Sequence, residues 1–478
     1  MTVTSTLNTI RPLGPIELYS SSRHHLGLYR CVVITGRYTL PRGSPPSDAA
    51  IFSALGNVVA AHPMLRVGIH GEETNTAHFT PISEVDLRKQ AEFRTAPDGK
   101  DFDKALDDVQ AWCHDQLFEK VETRPPWRII VLRPDTDATF EDIVFSFHHS
   151  LMDGTSSRQF HEHLLAELNA LAPETSSSEP QTILTFPDVP SLPEPQDAIL
   201  AYTKSVSFWA SNLWDEFGPS FLKSAKAPIW SGKPVDFAHP HRARVRGVDI
   251  QASAVASLLT ATRSHETSIT GLLQALVLAS LVNRIPDARA FASSTPINMR
   301  PWMSSTADPA TKDTFRVLIT EMAHQHSSAD VSALRSPSAD LDALIWHHAR
   351  TVKSQITERT ATLPADDGCS MLPYISDWAS HWRKKDGQAR EGSWELSNVG
   401  RLQLAPGRRS ISRVLFTNGI MVAGDPLSIS VASVPGGVLT LGISWNEDVV
   451  EDEVMRGLAE DLEAFVMQLH ETGKFAAQ

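Results

Sequence analysis

One stretch constrains this chain more than any other: residues 143–157, which read IVFSFHHSLMDGTSS. Residues 142–147 are rich in β-branched and aromatic types and read as a strand. Asp153-Gly154 then supplies turn chemistry, and residues 155–171 carry apolar side chains at helical spacing. A buried strand that turns at once into a helix requires a helical layer packed on a sheet. The same arrangement sets two adjacent imidazoles, His148 and His149, at the end of a rigid element where a substrate can reach them.

The rest of the chain mixes the same two periods. Helices are predicted over 49–61, 103–118, 196–213, 252–263, 268–285, 341–357 and 451–470. Ser47-Asp48 caps the first of these and Pro63 stops it. Strands are predicted over 65–69, 127–132, 243–250, 290–296, 413–420, 427–432 and 437–445. The class is therefore α/β or α+β. Residues 176–196, rich in Ser, Pro and Glu and without periodicity, read as a linker between an N-terminal domain (1–175) and a C-terminal domain (197–478).

Composition matters mainly for what it removes. A net charge of -13 argues against a general nucleic-acid binder. The three cysteines, Cys31, Cys113 and Cys369, form no CxxC pair, so neither a zinc site nor a disulfide framework is signalled. The start of the chain lacks a signal-peptide pattern, and the longest apolar run, residues 272–282, is too short to cross a bilayer. A soluble cytoplasmic protein is expected. No HExxH, GxxxxGK, GxGxxG or GxSxG fingerprint occurs. His161 and His163 stand two apart on a predicted helix and so face different sides, which is unsuited to a metal.

An alcohol is a poor nucleophile until a base takes its proton, and histidine, with an ordinary pKa of about 6.5, suits that task. The pair alone carries no weight, because His24-His25 and His347-His348 are also adjacent and read as surface or packing residues. The full pattern HHxxxDG at a strand-to-helix junction does carry weight. It resembles the signature of the acyltransferase superfamily that includes chloramphenicol acetyltransferase, nonribosomal condensation domains, plant BAHD enzymes and fungal alcohol acetyltransferases. Further likenesses follow in order: VVAAHPMLRVGI (58–69), RPPWRIIVL (124–132), TSITGLLQALVLASL (267–281), STPINMRPW (294–302) and LSNVG (396–400). The fungal alcohol acetyltransferase and condensation-domain-like branch is the nearest in kind. The plant DFGWG segment has no counterpart here; ISWNED (443–448) holds its place without sharing its pattern.

The resemblance implies two chloramphenicol-acetyltransferase-like α/β sandwich domains with an active-site tunnel between them. It implies His149 as general base, His148 as a buried support, and Asp153 as a structural carboxylate paired with Arg300, with Gly154 leaving room for close approach. Ser397 and Asn398 are candidate oxyanion or substrate contacts, an Asn-Gly turn being the alternative. Arg383, Lys384 and Lys385, near Arg390, Arg408 and Arg409, could hold coenzyme A phosphates, though a solvated basic loop is the commoner explanation of such a run. The implied reaction moves an acyl group, most simply acetyl, from acyl-CoA as co-substrate to a small-molecule alcohol of secondary metabolism. No bound cofactor, metal, nucleic acid or membrane span is expected, and the chain is expected to be monomeric. A carrier-protein thioester in trans, a repurposed reaction in the same tunnel, or a binding role remain alternatives.

Overall fold

A computed structural model describes residues 9–43, 45–136, 138–171, 180–217, 228–303 and 313–475. The strands of its two large sheets are β1 (Val32–Thr39), β2 (Ala91–Ala96), β3 (Trp127–Pro134), β4 (Phe140–Phe147), β5 (Ala243–Ile250), β6 (Phe291–Asn298), β7 (Ile319–His326), β8 (Trp394–Arg401), β9 (Ile411–Thr417), β10 (Leu427–Ser433) and β11 (Leu439–Asn446). The first sheet has the order β9-β1-β4-β3-β2, the second β5-β11-β10-β8-β6-β7. Both are mixed: β2 runs parallel to β3, and β8 runs parallel to both β6 and β10.

Helices cover these sheets for ordinary reasons of capping and burial. Helix α1 (Pro15–His25) starts with Pro15, and Glu17 reaches back to the Gly14 N–H at 2.7 Å. Helix α2 (Asp48–Ala61) begins where Ser47 accepts the Ala50 N–H, and a 3₁₀ turn at Pro63–Leu65 ends it. It packs beside α3 (Gly154–Ala170), the helix that follows the histidine pair. Over the second sheet, α4 (Ile269–Arg284) buries every residue from Gly271 to Val282 beneath α5 (Leu341–Thr362) and α6 (Asp452–Thr472). No single helix among the described residues is long and apolar enough to cross a membrane.

Three expectations change. The helix expected over 196–213 is two pieces, Gln196–Ile199 and Val206–Phe217. Gln196 spends its side chain on the Ile319 backbone N–H (2.7 Å) and carbonyl (2.9 Å), while Asp366 accepts the Ser205 N–H. Those bonds anchor the chain on either side of the irregular residues 200–205. The predicted linker, as far as it is described, is not free chain. Its strand Ile183–Thr185 pairs with Glu84–Asp86, and Phe186 N–H donates to the Ser83 carbonyl at 2.7 Å; residues 176–179 lie outside the described residues. Finally, β9 belongs to the range assigned to the C-terminal domain, yet it pairs antiparallel with β1 and completes the first sheet. There it also touches the second sheet, where a Cβ on Gly442 of β11 would collide with the Phe416 carbonyl oxygen.

Candidate active site

His149 stands just past the end of β4, half-buried, on the wall of a cavity of about 260 Å³ between the two sheets. Tyr19 and Arg23 of α1 reach this cavity from the first half of the chain; Glu321 of β7 and Glu395 and Ser397 of β8 reach it from the second. Phe416 of the crossing strand β9 and the following Asn418 complete the meeting.

The loop that carries His149 is fastened at both ends. At its start, His148 uses both ring nitrogens: Nδ1 accepts the Ser150 N–H at 3.0 Å and Nε2 donates to Glu72 Oε1 at 3.0 Å. Glu72 Oε1 takes a second N–H from His24 Nδ1 at 2.9 Å, and His24 Nε2 accepts the Phe118 N–H at 3.1 Å. The Ser150 hydroxyl donates to the Glu17 carbonyl at 2.7 Å. At the other end, Asp153 caps α3 by accepting the Ser156 N–H at 2.9 Å. Its carboxylate also receives the Arg300 guanidinium through two bonds of 2.8 and 3.1 Å and the Leu318 N–H at 2.8 Å. Asp153 is thus saturated and turned away from the cavity, a tie between the two halves of the chain. Gly154 has no room for a side chain: a Cβ would sit 2.5 Å from Val399 Cγ1.

Burial sets the charge states. It lowers His149 to about 4, with the Arg23 guanidinium adding to the effect. The imidazole is therefore neutral near pH 7. Among the described residues its buried Nδ1 has no hydrogen-bond partner. His148 is likewise lowered to about 4, by burial and then by His24. Burial alone would raise Glu72, but the two histidine N–H bonds overcome it and hold the carboxyl well below the usual range. Burial and then the Glu321 carboxylate raise Glu395 on the cavity wall, and they raise Asp425, which stands off that wall, to about 7.

His24, Glu72 and His148 place ligand-type atoms within 4.8 Å of one another. They do not suit a metal. A backbone N–H already occupies the lone pair of each outward ring nitrogen, so the nitrogens facing Glu72 carry protons and have no lone pair to give.

The other predicted contacts divide. Ser397 is buried on the cavity wall. Asn398 is not on it: its amide donates to Thr270 Oγ1 at 3.1 Å and accepts the Gly400 N–H at 2.9 Å, which stabilises a bulge in β8. Arg383, Lys384 and Lys385 lie in and after the short helix Trp378–Arg383, outside the cavity wall, and Lys385 pairs with Glu391 at 3.1 Å. Arg390 is buried and committed to the carbonyls of Lys233, Val422 and Gly424. His161 is a packing residue between the Tyr38 hydroxyl and the Ile34 carbonyl. Sequence reading missed Arg23, His24, Glu72, Glu321, Glu395 and Asn418. Only the His24-His25 pair gave any signal, and it read as packing.

Two mixed sheets enclosing a histidine-bearing cavity are the layout of the chloramphenicol-acetyltransferase-like fold. The chain superposes on the trichothecene 15-O-acetyltransferase TRI3 of Fusarium sporotrichioides with a TM-score of 0.69 and 15% identity, covering 95% of each chain. It superposes on the first condensation domain of the CDA synthetase with a TM-score of 0.59 and 13% identity, covering 98% of each. Residues 97–470 match the alcohol acetyltransferase family, and the chain belongs to it. A probable alcohol acetyltransferase of Fusarium pseudograminearum, FCK4, is 28% identical over 98% of this chain and 96% of its own. The protein is accordingly an enzyme, an acyltransferase acting on an alcohol.

Proposed function

We propose that this enzyme transfers an acyl group, acetyl in the simplest case, from acyl-CoA to a hydroxyl of a small-molecule secondary metabolite, with His149 as general base. The observation that carries the reading is a neutral imidazole on the wall of the cavity where both sheets and the crossing strand meet. The alcohol's oxygen attacks the thioester carbonyl while the imidazole takes its proton. The tetrahedral intermediate then collapses, and the same imidazolium returns the proton to the departing thiolate. Such a base contributes about 10²–10⁴-fold in rate. Ser397, buried on the same wall, is the residue proposed to donate to the oxyanion. Asn398, turned toward Thr270, drops out of that role. Arg383 and Lys384 stay candidates for CoA phosphates, as solvent-side cations of a chain that acts as a monomer in the cytoplasm. The two-domain division at 176–196 is retained for the chain's order, with β9 as the exception.

The test is thiol release from acetyl-CoA with a panel of alcohols, comparing the wild type with His149→Ala. Alcohol-dependent release that falls by at least 10²-fold in the variant supports the reading. Release unchanged by the substitution overturns the role of His149. Absence of release with every CoA donor overturns the donor assignment and directs the same assay to carrier-bound thioesters.

A further inference from the structure

We propose that Glu72 and His24 are positioning residues for the reaction, aiming His149 through the ring of His148; the inference rests on the reading of His149 as base. Residue 149 is bracketed by two fixed neighbours. His148 precedes it and Ser150 follows it, and the His148 ring closes the gap by accepting the Ser150 N–H at 3.0 Å. The His148 backbone N–H is fixed on the Pro126 carbonyl at 2.9 Å. Residue 149 therefore sits inside a small closed loop whose shape depends on the orientation of one imidazole.

That orientation is set by Glu72. With Nδ1 occupied by a backbone donor, His148 carries its proton on Nε2 and needs an acceptor there. Glu72 provides it, with the histidine fully buried and the carboxylate side chain 11% exposed. The carboxylate is itself held by a second donor, His24 Nδ1, whose tautomer is fixed in the same way by the Phe118 N–H. Two N–H groups thus converge on one oxygen, and the two rings lie 4.4 Å apart between centroids. The turn bearing Glu72 is braced from the second half of the chain, where Asn75 Oδ1 accepts the Trp378 N–H at 3.1 Å. No other side chain is a hydrogen-bond partner of the His148 ring among the described residues.

Both N–H groups use the same oxygen, and that has a distinctive consequence. Glu72→Leu removes the shared acceptor and leaves two buried donors unpaired, whereas the amide oxygen of Glu72→Gln, set where Oε1 stands, can still accept both. Glu72→Leu is expected to lose about 10- to 100-fold in kcat, the scale of a small misplacement of a reacting group. KM for both substrates should stay within about twofold, since neither Glu72 nor His24 lines the cavity. Glu72→Gln, which keeps the acceptor without the charge, should stay within about threefold of the wild-type kcat.

The experiment measures kcat and KM for both variants and, separately, the histidine tautomers of the wild type by ¹⁵N NMR. A proton on His148 Nε2 and His24 Nδ1, a selective kcat loss in Glu72→Leu and its recovery in Glu72→Gln support the proposal. Wild-type kcat in Glu72→Leu, or a Glu72→Gln variant no better than Glu72→Leu, overturns it. If Glu72→Leu does not fold, the tautomers decide alone, and a proton on His148 Nδ1 overturns the proposal. Retained activity in His149→Ala would remove the base itself while leaving the tautomer result standing, so the two failures are distinguishable.

Discussion

At the scale of single residues, the unusual feature is a histidine, the base of the proposed reaction, held far from its ordinary pKa. His149 is lowered to about 4 by burial and then by Arg23, with Asp153 and its own carbonyl opposing and His148 adding slightly. A general base works only when unprotonated, so activity is present above this pKa and lost as pH falls through it. The kcat/KM profile is therefore expected to stay flat down to about pH 5 and to fall with its midpoint near pH 4, not near 6.5. Arg23→Met keeps much of the volume stacked against Tyr19 and Tyr29 while removing the charge. It should move the acid limb to higher pH. A limb unmoved by that substitution would show that burial alone sets the pKa. The motif itself was legible because His148, His149, Asp153 and Gly154 are contiguous. Asn398 misled because neighbours on a strand point to opposite faces, so only one of Ser397 and Asn398 can meet the cavity. Glu72 and Arg23 come from a turn and a helix that approach the loop only in space, and no local pattern marks them.

At the scale of elements, the strand-loop-helix unit was readable from its period change, and so were most helices on both sheets. Where prediction failed, a side chain had been diverted to tertiary bonds, as Gln196 was, or the strand was too polar in pattern to stand out, as in β7; β1 went unpredicted although residues 32–35 are β-branched and buried. The Asp153–Arg300 pair is the element-level device that ties the loop to the second sheet. Both side chains are buried, 1% and 7% exposed. Removing one partner of such a pair leaves an uncompensated charge and typically costs ~3–5 kcal/mol. Asp153→Asn and Arg300→Met are each expected to destabilise by about that amount, read from urea unfolding. The double variant should cost less than the two single losses added together, since neither charge is then left alone. Additive losses would mean that the pair is not coupled. Lost activity in Asp153→Asn with unchanged stability would instead point to direct contact with substrate.

For the molecule as a whole, the two halves are less separable than the chain's order suggests. The strand β9 was legible as a strand, but its sheet was not, because hydrophobic pattern records burial and not partners. Its Ile411, Val414, Leu415 and Phe416 are all buried, and each such side chain contributes roughly 1.5–3 kcal/mol on burial. Together they are worth about as much as a domain's whole net stability, ~5–15 kcal/mol. Residues 1–175 produced alone would lack them, and β1 would become an open edge with a row of unpaired backbone groups. That fragment is expected to aggregate or to lack a cooperative thermal transition. Co-production with residues 180–478 should restore a soluble complex, because the second fragment brings β9 back to β1. Joining residues 409–418 to the first fragment through a flexible linker tests the strand by itself. Recovery of a cooperative melt would assign the defect to β9, whereas a fragment 1–175 that melts cooperatively unaided would show that the crossing strand is not needed to close the first sheet.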